Sequence, residues 1–241
     1  MLVVKGEIYN EDYNDYISFV GTAHFTRRSL QDAYEAVRQL QPSDLAVELD
    51  LRRFRILNIA CSTCPRRAAC TRKCEFIAAT EAIGNVDTNI WLIDMSEREI
   101  SQRIRQLRHR MAPRWTWLSR IRIPYVPRED ETTRLWEQGY KDEVLNSYQR
   151  RLDILRLEAP HVWQVLIDER NALMAVRLAW IASEKLREDE EPKILALVGA
   201  AHVDGIKALL KEPVAIREDL RRLNLRFTPP TLIRRISVNE D

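Results

Sequence analysis

The sequence predicts an α/β protein: a mostly parallel sheet with flanking helices and a large helical insertion before the last core strand. Three observations carry this. Four short apolar runs, 17–20, 45–49, 90–93 and 194–198, are rich in Val, Ile and Leu without alternation, as strands buried on both faces are. Helical patterns lie between the first runs, and such alternation builds parallel sheets. From about 96 to 188 the strand signal stops and only helical patterns remain.

Taken in order, 17–20 is the first strand, and residues 2–9 could form a hairpin strand beside it. Ser29 is the expected N-cap of a helix over 30–40, with Asp32 completing a variant capping box. The second strand follows at 45–49, a helix at 75–83, the third strand at 90–93 and a helix at 96–110. Segment 132–157 reads as one helix ended by Pro160. Segment 161–188 reads as one long helix with Val162, Leu166, Leu173, Ala179 and Ile181 facing inward. The fourth strand resumes at 194. Residues 1–218 form the expected domain, and 219–241, containing Pro229-Pro230, an arm or tail.

Composition sets the limits. The chain has 241 residues, 45% of them hydrophobic and 31% charged, which excludes a wholly disordered chain. The formal net charge of +2 does not point to nucleic acid as the partner of the whole molecule. No apolar run approaches the roughly 18–20 residues of a spanning helix, and no leader pattern follows Met1, so a cytoplasmic protein without a transmembrane segment is expected.

The residues at the strand ends carry the chemistry. The first strand ends in Gly21-Thr22-Ala23-His24, the second in Glu48-Leu49-Asp50 with Arg52 beyond, the third in Asp94, the fourth in Gly199-Ala200-Ala201-His202. In open α/β sheets, ligands bind outside the carboxyl ends of the strands. Two histidines and a carboxylate make a metal triad with open positions, suited to Zn, Mn, Co or Fe(II), able to polarise a carbonyl and activate water. The same groups also suit metal-free work, a histidine base oriented by a carboxylate. The polar run Asp168-Glu169-Arg170-Asn171 interrupts the long helix, so part of it must point inward. Either it forms a buried ion pair, or Arg170 or Glu169 reaches the crevice, where Arg170 would grip a substrate carboxylate. Arg52, Asp50 and Glu169 are the further substrate-binding candidates.

These segments together resemble the TraB/PrgY family, related to the Tiki proteases and the GumN-like proteins. The matching pieces are GTAHFTRRS at 21–29, LAVELDLRR at 45–53, LIDERNALMA at 166–175 and GAAHVDGI at 199–206. Tiki members are metal-dependent proteases using two G-x-x-H histidines and a glutamate, and PrgY-like members restrain peptide pheromones. The resemblance implies a metallohydrolase acting on peptides or small amides and esters, with His24, His202 and Glu48 as metal or catalytic residues. The alternative is a protein that captures a peptide without chemistry.

Cys61, Cys64, Cys70 and Cys74 are all the cysteines, spaced C-x2-C-x5-C-x3-C in what reads as a loop after the second strand. An iron–sulfur cluster, a four-thiolate zinc site and two disulfides each fit. From Ile100 to Arg128 there is no acidic residue, while eight arginines lie there with Trp115 and Trp117. Such a stretch suits nucleic acid, an anionic membrane surface or a subunit contact. The reading adopted is a homodimer buried over about 100–140, with Trp136 in the contact.

Overall fold

The computed structural model describes residues 11–24, 26–62, 75–83, 88–111, 129–188 and 190–233. Four parallel strands, β1 (Ile17–Thr22), β2 (Asp44–Val47), β3 (Asn89–Leu92) and β4 (Ile194–Gly199), form the sheet predicted from the apolar runs. A fifth, β5 (Thr231–Ile233), adds antiparallel to β3. The spatial order is β1-β4-β2-β3-β5. The last strand in the parallel set therefore slots between the first two. Thr22 pairs with Gly199, and Val47 with Leu197.

Side chains alternate across the central strand as the pleat requires. Ile194, Ala196 and Val198 enter one core with Leu173, Met174, Leu178 and Ile181 of α8 (Arg170–Arg187), and with Ile206 and Leu210 of α9 (Ala200–Lys211). Leu195 and Leu197 enter the other core, with Ala33 and Val37 of α1 (Arg27–Leu40) and Phe76 and Ala79 of α3 (Glu75–Ala82). The domain is thus three layers with the sheet in the middle. α10 (Pro213–Arg222) packs beside α8 and α9, bringing Ile216 and Leu220 into the first core.

Several elements differ from their sequence reading. Thr26, not Ser29, caps α1: the Thr26 side chain accepts from the Ser29 N–H. Ser29 is fully buried and its hydroxyl accepts from the Ala23 N–H at 2.9 Å, pinning the turn after β1 to the helix. A helix that the sequence reading missed, α2 (Leu51–Ser62), follows β2 directly. It includes Cys61; the cysteine side chains, and Cys64, Cys70 and Cys74 entirely, lie outside the described residues. The expected 2–9 strand, Trp115 and Trp117 lie outside them too. The segment after 219, expected as a tail, supplies the end of α10 and the edge strand β5.

The helical insertion begins with α4 (Glu97–Met111), opened by a capping box in which Ser96 and Glu99 bond each other's backbone N–H. The single helix read at 132–157 is two, α5 (Glu129–Glu137) and α6 (Lys141–Glu158), parted at Gly139, whose φ of +91° favours glycine. The long helix read at 161–188 is also interrupted. A short α7 (Pro160–Trp163) runs into a π-helical turn over Gln164–Glu169 before α8 begins. The wider turn shifts the inward face, so that Val165 is buried there while Val162 and Leu166 are half-buried.

Trp136 is 1% exposed, and its indole N–H donates to Ser29 Oγ at 2.9 Å. It lies in the chain's own core, where the buried Ser29 hydroxyl gives its polar edge a partner, so it is not an exposed tryptophan that needs a subunit contact to cover it. It also fastens the insertion to α1. Trp136→Ala is therefore expected to lower unfolding free energy by about 3–5 kcal/mol, and Trp136→Phe, which loses the hydrogen bond, by about 1–3 kcal/mol. Urea denaturation with an unchanged slope checks both values.

Candidate active site

The topology gathers both histidine motifs. β4 lies between β1 and β2, so the ends of all three strands meet. His24 follows β1, His202 sits in the first turn of α9 after β4, and Glu48 follows β2. A methyl group built on Gly199 would stand 3.6 Å from His24 Nε2, 3.6 Å from His202 Cδ2 and 3.3 Å from Glu48 Oε2. Only a residue without a side chain leaves this space open.

Each imidazole is anchored through Nδ1 by a different partner. His24 Nδ1 lies 2.5 Å from Glu75 Oε1, at the start of α3, and Thr22 Oγ1 donates to the same carboxylate at 3.3 Å. His202 Nδ1 lies 2.7 Å from Asn171 Oδ1 on α8, which makes Nδ1 the protonated nitrogen. The Asn171 amide occupies the place a side chain at position 205 would take, so Gly205 is required by close approach. The His24 side chain is 43% exposed, whereas His202 is buried.

These surroundings separate the two rings. Burial would push the His24 pKa below 6.5, but the hydrogen bond and charge of Glu75 prevail and raise it. Burial pushes the His202 pKa below 6.5, against the opposing pull of Glu48. At pH 6.5, between the two titrations, the pair therefore favours a protonated His24 beside a neutral His202.

Glu48 and Asp94 are tied together by one guanidinium. Arg170 donates from Nη2 to Glu48 Oε1, and to Asp94 from Nε at 2.9 Å and Nη2 at 2.8 Å. Glu48 Oε2 also accepts from the Gly199 N–H at 2.5 Å, at the positive end of α9. Arg53 forms a second clamp, pairing with Asp94 and, at 2.6 Å, with Asp50. Burial alone would push the Asp94 carboxyl up, yet Arg170 and Arg53 hold it below the ordinary range.

The structure thus brings His24, His202, Glu48 and Arg170 together, with Asp94 joined through the arginine. The other candidates stand elsewhere. Glu169 is fully buried and receives Arg103 in a two-pronged bond at 2.7 and 2.8 Å. Successive helical residues turn by about 100°, so Glu169, Arg170 and Asn171 meet three separate partners. The Arg52 side chain is 72% exposed and stands 3.6 Å from Glu97, so Arg53, its neighbour, is the arginine that turns inward. Asp50 accepts from the Arg52 and Arg53 backbone N–H groups and so caps α2. Glu75 was missed: it comes directly after the last cysteine, and no pattern links it to a residue 51 positions earlier. Asn171 had one signal, its place in the polar run.

No family model matches the chain. An uncharacterized protein of Methanocaldococcus jannaschii is 24% identical over 225 residues, covering 81% of this chain and 53% of the relative. The chain spans about half the length of that curated relative. Among the described residues no group of three or more His, Cys, Asp or Glu side chains is set to hold a metal ion, and no helix is long and apolar enough to cross a membrane.

Arg170→Ala would leave two buried carboxylates short of a cation, and the expected loss is about 3–5 kcal/mol at pH 7. In the wild type, the Asp94 contribution is present above the ordinary carboxylate pKa and is lost as pH falls through its lowered value. The variant lacks part of that contribution, so the stability gap should narrow between pH 7 and pH 3. Denaturation midpoints across that range test this; a constant gap would refute it.

Proposed function

We propose that the strand-end site hydrolyses a carbonyl substrate, a peptide or a small amide or ester, with His202 as base and His24 as acid. The observation that carries this reading is the convergence of two imidazoles on Gly199, each with Nδ1 anchored and the opposite side of the ring turned to the same space. Neutral His202 takes a proton from water through Nε2, and the water oxygen attacks the carbonyl carbon. His24 gives its proton to the departing nitrogen or oxygen as the bond breaks. Proton transfer of this kind contributes about 100- to 10,000-fold. Arg170 keeps Glu48 oriented beside His202. The TraB/PrgY resemblance supports the same residues and the peptide-like substrate class.

A second reading adds a divalent metal, Zn, Mn or Co. His202 Nε2 and Glu48 Oε1 face each other at 3.8 Å. An unprotonated imidazole nitrogen and a carboxylate oxygen both offer lone pairs, and that spacing suits two ligands of one cation. The three groups as they stand are not set to hold an ion, so His24 would become the third ligand through a shift of its ring; the anchored Nδ1 atoms match the outer partners of metal-bound histidines. A bound metal would polarise the carbonyl and acidify water. The four cysteines would hold a separate iron–sulfur cluster or zinc. Metal analysis of anaerobically purified protein, beside a variant lacking all four cysteines, assigns metal to each site.

Assembly as a homodimer rests on the arginine-rich stretch from 100 to 128 with Trp115 and Trp117, without Trp136 and without Arg103, which pairs with Glu169 of the same chain. A cytoplasmic setting accords with the chain's sequence pattern.

The test is hydrolysis of a mixed peptide pool and small ester and amide substrates, followed by mass spectrometry. His24→Ala and His202→Ala should each lower turnover at least 100-fold. The pH profile should be bell-shaped around 6.5. It rises as His202 loses its proton, below 6.5, and falls as His24 loses its own, above 6.5. Peptide binding without turnover would instead indicate capture, and a wild type no faster than either variant would end the hydrolytic reading.

A further inference from the structure

The insertion grips α1 at the turn that carries His24. Trp136 and Glu137, at the end of α5, both reach the start of α1. The Glu137 carboxylate accepts from the backbone N–H of Arg27 and, at 3.0 Å, from that of Arg28. These belong to the N–H groups that the first turn of a helix leaves without an internal partner. The next one, the Ser29 N–H, goes to Thr26 Oγ1 at 3.1 Å, so side chains satisfy three in a row. A carboxylate also suits the positive end of a helix.

Trp136 acts one layer deeper. A hydroxyl has one proton and two lone pairs. Ser29 Oγ accepts from the Ala23 N–H and from the Trp136 indole N–H, both at 2.9 Å, which fills its lone pairs. The Thr26 hydroxyl stands 2.8 Å from Ser29 Oγ and 2.8 Å from the Ala23 carbonyl oxygen, and so gives its proton to the carbonyl. With the indole N–H removed, one lone pair of Ser29 falls open and the Thr26 proton is free to turn to it. The Ala23 carbonyl then gives up its 2.8 Å donor and keeps the Ser29 hydroxyl at 3.1 Å. Ser29 and Thr26 are both buried, so bulk water does not supply the missing donor.

Ala23 directly precedes His24. These bonds hold the backbone of the histidine, while Glu75 holds its ring. A shift of that backbone moves the ring relative to the space at Gly199 that His202 and Glu48 also face. We propose that Trp136 and Glu137 are positioning residues for His24, so that the helical insertion sets the geometry of the strand-end site from outside it. The effect on turnover rests on the hydrolytic reading; the placement of the ring does not.

The experiment is nitrogen-15 NMR of the full chain with labelled histidine, the His24 signals being assigned by their loss in His24→Ala. Kinetics are run beside it on the most reactive substrate of the peptide, ester and amide pool. Trp136→Phe and Glu137→Ala should each shift the His24 ring signals at fixed pH and leave those of His202 in place. Turnover kcat should fall about 10- to 100-fold with KM unchanged within about twofold, as for a group misplaced only at the reacting step. Glu137→Gln, which keeps an acceptor for one N–H, should recover part of both effects. Leu152→Ala, at a buried position of α6, destabilises the same insertion and should leave both readouts as in the wild type. Glu137 is half-buried, so its variants carry the test if Trp136→Phe does not fold. Shifted His24 signals in a protein that hydrolyses nothing support the positioning and remove the hydrolytic reading. His24 signals unmoved in the folded variants, signals moved as far by Leu152→Ala, or active hydrolysis with an unchanged kcat would overturn the proposal.

Discussion

The rest of the structure depends on the two ion pairs that Arg170 makes with Glu48 and Asp94. These carboxylates end neighbouring strands, and both are buried, so each needs a cation at close range. A buried ion pair of this kind is weak evidence for stability in itself, since its desolvation offsets much of the attraction. Its effect is positional. With Arg170 fixed, α8 cannot slide along the sheet, and Asn171, the next residue, is delivered to His202. Arg177, two turns on, bonds the carbonyls of Ile93 and Asp94 and locks the same helix a second time.

The other determinant is topological. Had β4 joined the sheet at the edge beyond β3, the two G-x-x-H segments would stand several strand spacings apart. Its insertion beside β1, with Thr22 opposite Gly199, makes them neighbours. The motifs serve different ends. Gly21 lets β1 approach Ala200 and Val203 of α9 closely, while Gly199 keeps clear the space that both imidazoles face. One spacing thus accomplishes backbone packing in the first copy and site formation in the second.

Much of this architecture was legible because the central strands β2 and β4 are buried on both faces and therefore carry continuous apolar runs. β5 was not: Thr231–Ile233 is a short edge strand, largely exposed, without such a run. The helix α2 was hidden for a similar reason, since it mixes Arg and Ile around its circumference and lacks a sharp apolar stripe. At the site, residues on strand ends could be named because the fold class dictates where those ends meet. Glu75 and Arg53 could not, because their roles arise from helix placement. Arg52 and Arg53 are adjacent and chemically identical, and only the helical phase of α2 decides which one turns inward. Glu169 shows the converse: it is as buried as its polar run suggested, but its partner is Arg103 on α4, across a separate contact.

The π-helical turn at Gln164–Glu169 has a meaning in terms of lineage. Such a turn holds one residue more than an α-helix needs, and removing one residue there would restore regular winding. The widened turn takes up the extra residue locally, so the helix on either side keeps its phase whether the residue is there or not. The helices of the insertion and α8, with Arg170 and Asn171, would then hold their places on the sheet. A single codon gained or lost at this place is absorbed in one turn, with the chemistry at the strand ends left where it is.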